Sequence, residues 1–138
     1  MAGTLVAGAL SDGVTPYDLS GLGKASARAW VNFADPTENT ASTIRSAYNV
    51  SSITDIGKGI YDVNFLNPLS NDLYCVVATA SQGSTAANAT TANLLVEMKG
   101  TSTTYALKTP TAVRMCSVDN NQDAYFDSFS ANVAVFGT

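Results

Sequence analysis

The sequence predicts an all-β fold: an antiparallel β-sandwich knob carrying an extended N-terminal arm. Three observations predict it. Within the stretch Ile44 to Phe65, Tyr61, Val63 and Phe65 point one way while Asp62 and Asn64 point the other, the period of two that marks a half-buried strand. The first half of that stretch holds the β-branched residues Val50, Ile53 and Thr54, which suit a pleated surface. Short apolar runs also recur along the chain with turn signals between them, the pattern of a sandwich.

Taken in order, Met1 to Gly23 is Gly- and Ala-rich with few large side chains. Its apolar residues Leu5, Val6, Leu10, Val14, Tyr17, Leu19 and Leu22 exceed what a disordered tail carries. Residues 1–23 therefore read as an attachment arm that lies against a neighbour, with Leu5, Val6, Leu10 and Tyr17 as its anchoring side chains; residues 24–138 read as the module. Lys24 to Phe33 is the first strand, and Asp35-Pro36-Thr37-Glu38-Asn39-Thr40 is a turn, since Pro sets φ and Asn tolerates turn geometry. Ile44 to Phe65 reads as strand, turn, strand, with Gly57-Lys58-Gly59 supplying the positive-φ positions of a hairpin. Asn67 to Asp72 is the next turn. Leu73 to Ala80 is apolar on both faces, which suits a strand central to a sandwich or facing another subunit. Ser81 to Asn93 is a long low-complexity segment, read as a functional loop. Leu94 to Lys99 is read as a strand, as are Thr103 to Lys108, Thr111 to Val118 and Asn132 to Phe136, with Asp119 to Asp123 a loop and Tyr125 to Asp127 a short strand or turn.

These blocks carry a resemblance. Lys24-Ala25, then Trp30-Val31-Asn32-Phe33, Ile44-Arg45-x-x-Tyr48-Asn49-Val50-Ser51-Ser52-Ile53-Thr54-Asp55, Gly57-x-Gly59-x-Tyr61-x-Val63-Asn64-Phe65 and the closing Val133-Ala134-Val135-Phe136-Gly137 resemble the distal module of bacteriophage tail-fibre proteins. The resemblance covers roughly residues 24 to 138; the family block reads Lys-Ala-Trp where this chain inserts Ser26-Ala27-Arg28-Ala29. It implies a homotrimer of β-sandwich knobs on a virion, binding other virion proteins of tail or capsid and touching a host surface glycan or protein through loops. Loop length and polarity then point to Gln82, Ser84, Asn88, Asn120, Asn121 and Gln122 as host-contact residues. Because no long shaft precedes the module, a second reading places it on the phage head, as a decoration (cement) protein clipped on by the arm. A third is a polysaccharide-cleaving enzyme.

Composition weighs against several classes. At 138 residues the chain is expected to form one module with a sizeable core. Charged residues make up 13%, about half the usual share, so the surface is built of Ser, Thr, Asn, Gln and Ala, and such a surface tolerates close subunit packing. The net charge of −4 with scattered basic residues argues against nucleic acid. No stretch approaches a membrane span and no basic leader precedes the short apolar run Leu5 to Leu10; the expectation is a virion protein made in the host cytoplasm without a signal peptide.

The chain has no histidine, which removes the Ser-His-Asp arrangement and the commonest metal ligand. Cys75 and Cys116 are expected to be small buried hydrophobes rather than zinc ligands or a bridge. Asp119-x-Asn121-x-Asp123 matches the start of a calcium loop and then fails, with Ala124 in place of Gly and Ser130 in place of the bidentate Glu. Asp55, Asp62, Asp119, Asp123 and Asp127 could supply a glycosidase pair but read as exposed turn aspartates. The expectation is no catalytic residue, no metal and no cofactor. Trp30, Tyr48, Tyr61, Tyr74 and Tyr125 could line a sugar-binding face; Trp30 and Tyr61 are expected in the core instead, and Tyr125 is left open.

Overall fold

The structure, a computed structural model, describes residues 9–11, 16–18, 26–34, 42–81, 92–93, 95–97, 108–118 and 125–137. Every regular element among them is a strand: β1 (Ala9–Ser11), β2 (Pro16–Asp18), β3 (Ala27–Ala34), β4 (Thr43–Tyr48), β5 (Val50–Gly57), β6 (Ile60–Phe65), β7 (Cys75–Ser81), β8 (Ala92–Asn93), β9 (Leu95–Glu97), β10 (Ala112–Ser117) and β11 (Ser130–Phe136). No helix among the described residues is long and apolar enough to cross a membrane.

Two antiparallel sheets carry the fold, one of five strands in the order β4-β3-β11-β7-β8 and one of four in the order β5-β6-β10-β9. The first strand, expected from Lys24 to Phe33, pairs at the centre of the larger sheet with the last, Val31 opposite Val133 and Trp30 opposite Ala134. The inserted residues Ala27, Arg28 and Ala29 belong to β3 itself and keep its period, with Ala29, Val31 and Phe33 all buried.

Both sheets turn apolar faces to one core. Ala29, Val31, Phe33, Ala131, Val133 and Val135 from the larger sheet meet Tyr61, Val63, Phe65, Val113 and Met115 from the smaller. The Phe33 and Tyr61 rings contact edge to face with centroids 5.3 Å apart, a favoured arrangement of aromatic quadrupoles. The phenol of Tyr61 accepts a hydrogen bond from the Ser128 N–H at 3.0 Å, so its polar end is satisfied inside.

The stretch Thr43 to Gly57 departs from the single strand expected there. It is two strands, β4 in the larger sheet and β5 in the smaller, divided at Asn49, whose φ is +53°. A residue in the left-handed region turns the chain from one sheet to the other, and Asn is among the few non-glycine residues that accept it readily. Beyond that corner the β5–β6 hairpin forms around Gly57-Lys58-Gly59 as expected.

Three other expectations fare differently from one another. The N-terminal segment contains an antiparallel ribbon, β1 with β2, Leu10 opposite Tyr17. Cys116 is buried but Cys75 is exposed, and no disulfide joins them; Cys75 falls on the outward phase of β7, beside Leu73 and Val77, while Tyr74, Ala78 and Ala80 face in. The expected strand at Leu94 to Lys99 exists as β9, paired to β10; of the one at Thr103 to Lys108 only Lys108 lies among the described residues, where it forms a bridge to Val113.

Candidate contact surfaces

One end of the molecule gathers the flanks of four connections. Ala34 pairs with Thr43, the 57–59 turn closes its hairpin, Ser81 pairs with Ala92, and Val118 bridges to Tyr125. Pairing of Ser81 with Ser130 joins that end across the larger sheet. The Phe126 N–H donates to the Ser117 carbonyl at 3.2 Å and the Gly59 N–H to Asp127 Oδ1 at 2.8 Å, tying in the smaller sheet. The candidate residues Gln82, Ser84 and Asn88 lie between the flanks Ser81 and Ala92, and Asn120, Asn121 and Gln122 between Val118 and Tyr125; all six lie outside the described residues. Of the arm residues, Leu10 and Tyr17 are placed in the ribbon, while Leu5 and Val6 lie outside the described residues. Ser26, through which the arm joins the body, sits at the opposite end, next to β3's start opposite Phe136.

The second surface is the outer face of the five-stranded sheet, and sequence reasoning missed it. Trp30, expected in the core, is 39% exposed. The signal was present: in Arg28, Trp30 and Asn32 the tryptophan shares its phase with two polar residues, opposite Ala29, Val31 and Phe33. Tyr48 stands directly across from Trp30 on the edge strand, with 56% of its surface exposed. Going the other way, Ala134 and then Val77 continue the same row over β11 and β7.

Above that apolar row runs a polar one. Asn32 Nδ2 donates to Asn132 Oδ1 at 2.6 Å, and Asn132 Nδ2 donates to the Thr79 hydroxyl at 3.5 Å. Arg45 closes the upper edge, donating to the Phe129 carbonyl at 3.0 Å and the Ser130 hydroxyl at 3.2 Å with its guanidinium over the Phe129 ring. Trp30, Val77, Ala134 and the Asn32–Asn132–Thr79 row line a shallow groove of about 350 Å³. On the other side of Tyr48 lies a hollow of about 690 Å³ at the β4–β5 corner, bounded by Arg28, Asn49, Leu66, Asn67 and Ser70. Asn49 shapes it: its amide donates to the Arg28 and Asn67 carbonyls, both at 3.1 Å, and its Oδ1 accepts from the Asn67 N–H at 2.8 Å.

The remaining candidates have local partners. Tyr61 and Tyr74 belong to the core, and the Tyr74 hydroxyl lies 3.1 and 3.0 Å from the Thr109 and Ala112 carbonyls. Tyr125, left open by the sequence, is exposed. Asp55 accepts from the Gly57 N–H at 2.9 Å, a local turn contact. Asp62, on the outward phase of β6 as its alternation indicates, takes a two-pronged contact from Arg114, at 2.6 and 2.7 Å. Asp119 and Asp123 lie outside the described residues, and no cluster of three potential metal ligands occurs among those described.

Compared with known proteins, the chain matches no family model, no curated protein and no solved structure.

Proposed function

We propose that this chain is a non-enzymatic structural protein of a bacteriophage particle: a trimeric, tail-fibre-like β-sandwich knob, exposed on the virion and contacting the host surface. The observation that carries the reading is the polarity of the module. The flanks of both polar candidate loops gather at one end, while the arm enters at the other. A knob mounted through its arm presents those loops outward. The block likeness to tail-fibre modules adds to this, as does the low charge, which makes subunit contact less costly to desolvate.

The ribbon β1–β2 favours a second reading. It forms a small sheet of its own, and a separate structural unit ahead of the body suits a clip, as a head decoration protein needs. The non-enzymatic part rests on Asp55, Asp62 and Asp127, which are engaged by turn backbone or by Arg114; a reducing-sugar assay on host polysaccharide tests it.

Copy number per virion, by quantitative mass spectrometry against the major capsid protein, distinguishes the roles. A small multiple of three supports the fibre, a count that tracks the capsid lattice supports decoration, and absence from the particle overturns both. Exchange of segments 82–91 and 119–124 for short Gly-Ser turns is expected to abolish host adsorption while leaving the oligomer intact by sedimentation.

A further inference from the structure

We infer that the outer face of the five-stranded sheet is a binding site for a neutral saccharide chain, centred on Trp30 and Tyr48 and completed by Asn32, Asn132, Thr79 and Val77. The face has the two chemistries that a sugar ring needs, side by side. An exposed indole and an exposed phenol, cross-strand partners, offer flat apolar surface to the C–H face of a pyranose. Two residues further along the strands, about 7 Å away, Asn132 and Thr79 offer amide and hydroxyl groups to ring hydroxyls.

These polar groups keep bonding capacity. Among the described residues Asn32 Nδ2 donates to Asn132, Ser130 and Ala131, while its Oδ1 is left open as an acceptor. Asn132 Nδ2 donates one of its two hydrogens to Thr79, which leaves the second and the Thr79 O–H. The indole N–H of Trp30 adds a donor. The partial pairing fixes the side chains in one orientation before a ligand arrives, which lowers the ordering cost of binding.

Charge selects the ligand class. No ionisable side chain lines the groove; Arg45, at its upper edge, is held by Phe129 and Ser130, and Arg28 lies in the corner hollow below. A glycan bearing carboxylates or sulfates finds no matching cation in the groove, whereas a neutral chain leaves no buried charge unpaired. The apolar row runs from Tyr48 on β4 across Trp30 and Ala134 to Val77 on β7, so the site suits an extended chain of several sugars. A second copy of this protein is the competing occupant, but pairing two such faces would set the amide row of each against the other's surface and bury bonding capacity that a sugar would fill. The inference rests on this face and not on the virion reading: a particle lacking the chain would leave it standing.

Trp30 is the sole tryptophan, so the site carries its own probe. The full chain is titrated with maltohexaose, cellohexaose, xylohexaose and mannohexaose, with polygalacturonate as the charged control, following tryptophan emission and acrylamide quenching. At least one neutral chain is expected to give a saturable blue shift and reduced quenching. In affinity gels containing the matching polysaccharide, Trp30→Ala and Tyr48→Ala are each expected to weaken retardation about tenfold and Asn132→Ala several-fold, while Ser52→Ala, on the other sheet, changes nothing. Far-UV circular dichroism and urea midpoints confirm that each variant is folded, and the Asn132 and Tyr48 variants carry the test if the Trp30 variant is not. The inference is overturned if no neutral chain binds, if only polygalacturonate binds, if retardation survives all three substitutions, or if the emission shifts with protein concentration alone and Trp30→Ala dissociates the oligomer.

Discussion

At the scale of single residues, two backbone positions decide whether the sheets meet correctly. Gly59 has φ +65°, and a Cβ added there would lie 2.6 Å from the Phe126 carbonyl oxygen, 2.7 Å from its nitrogen and 2.9 Å from the Ser117 carbonyl oxygen. All three are backbone atoms, so no side chain can swing aside. Gly59→Ala adds the left-handed penalty of about 1 kcal/mol to the displacement of the 126–128 segment, and a total loss of about 3 kcal/mol or more is expected, read as a lower urea midpoint. Asn49 separates backbone from side-chain effects. Asn49→Gly keeps the φ of +53° accessible but loses the contacts to Arg28 and Asn67; Asn49→Ala loses both. The alanine variant is expected to be the less stable of the two by about 1 kcal/mol. Equal stabilities would mean that the side-chain contacts alone matter.

At the scale of elements, β3 shows what a strand's two faces are worth. Phe33 is fully buried against Tyr61, and Phe33→Ala is expected to cost about 3–5 kcal/mol. Three residues earlier, on the opposite face, Trp30→Ala is expected to cost about 1 kcal/mol or less, the worth of one cross-strand pair. Unfolding of the two variants in urea checks both, and similar losses would return Trp30 to the core. The alternation that separates these residues was legible in the sequence, as it was for β6, because the period of two is local. The corner at Asn49 was not: Tyr48-Asn49-Val50 continues a strand-forming run, and only the tolerance of Asn for positive φ hints at a break. The outer-face site was half legible. Arg28, Trp30 and Asn32 announce a polar phase, but Asn132 lies 100 residues from Asn32 and reaches it only when β11 pairs with β3. The strand order that brings them together is set by long-range contacts that no local pattern encodes.

At the scale of the whole molecule, the design question is whether the N-terminal segment belongs to the fold or is carried by it. The expected division at residue 23 rests on composition, and the pairing pattern bears on it. β1 and β2 form their own sheet, and the core residues among those described come from the body's strands and its 66–74 segment. The two large sheets close on each other through Phe33, Tyr61, Phe65 and Tyr74, with ring pairs 5.3 and 5.8 Å apart. A body so assembled draws its stability from apolar burial between the sheets. Removal of residues 1–23 is therefore expected to leave the urea midpoint of the body within error of the intact chain, with its circular dichroism unchanged apart from the lost ribbon. The same truncation is expected to abolish attachment to particles while leaving a knob whose Trp30 emission matches the parent. If the truncated body unfolds at a much lower urea concentration, the segment is part of the core and the two-part division fails. If the truncated body is stable yet still binds particles, the attachment surface lies on the body itself, and the ribbon has another task.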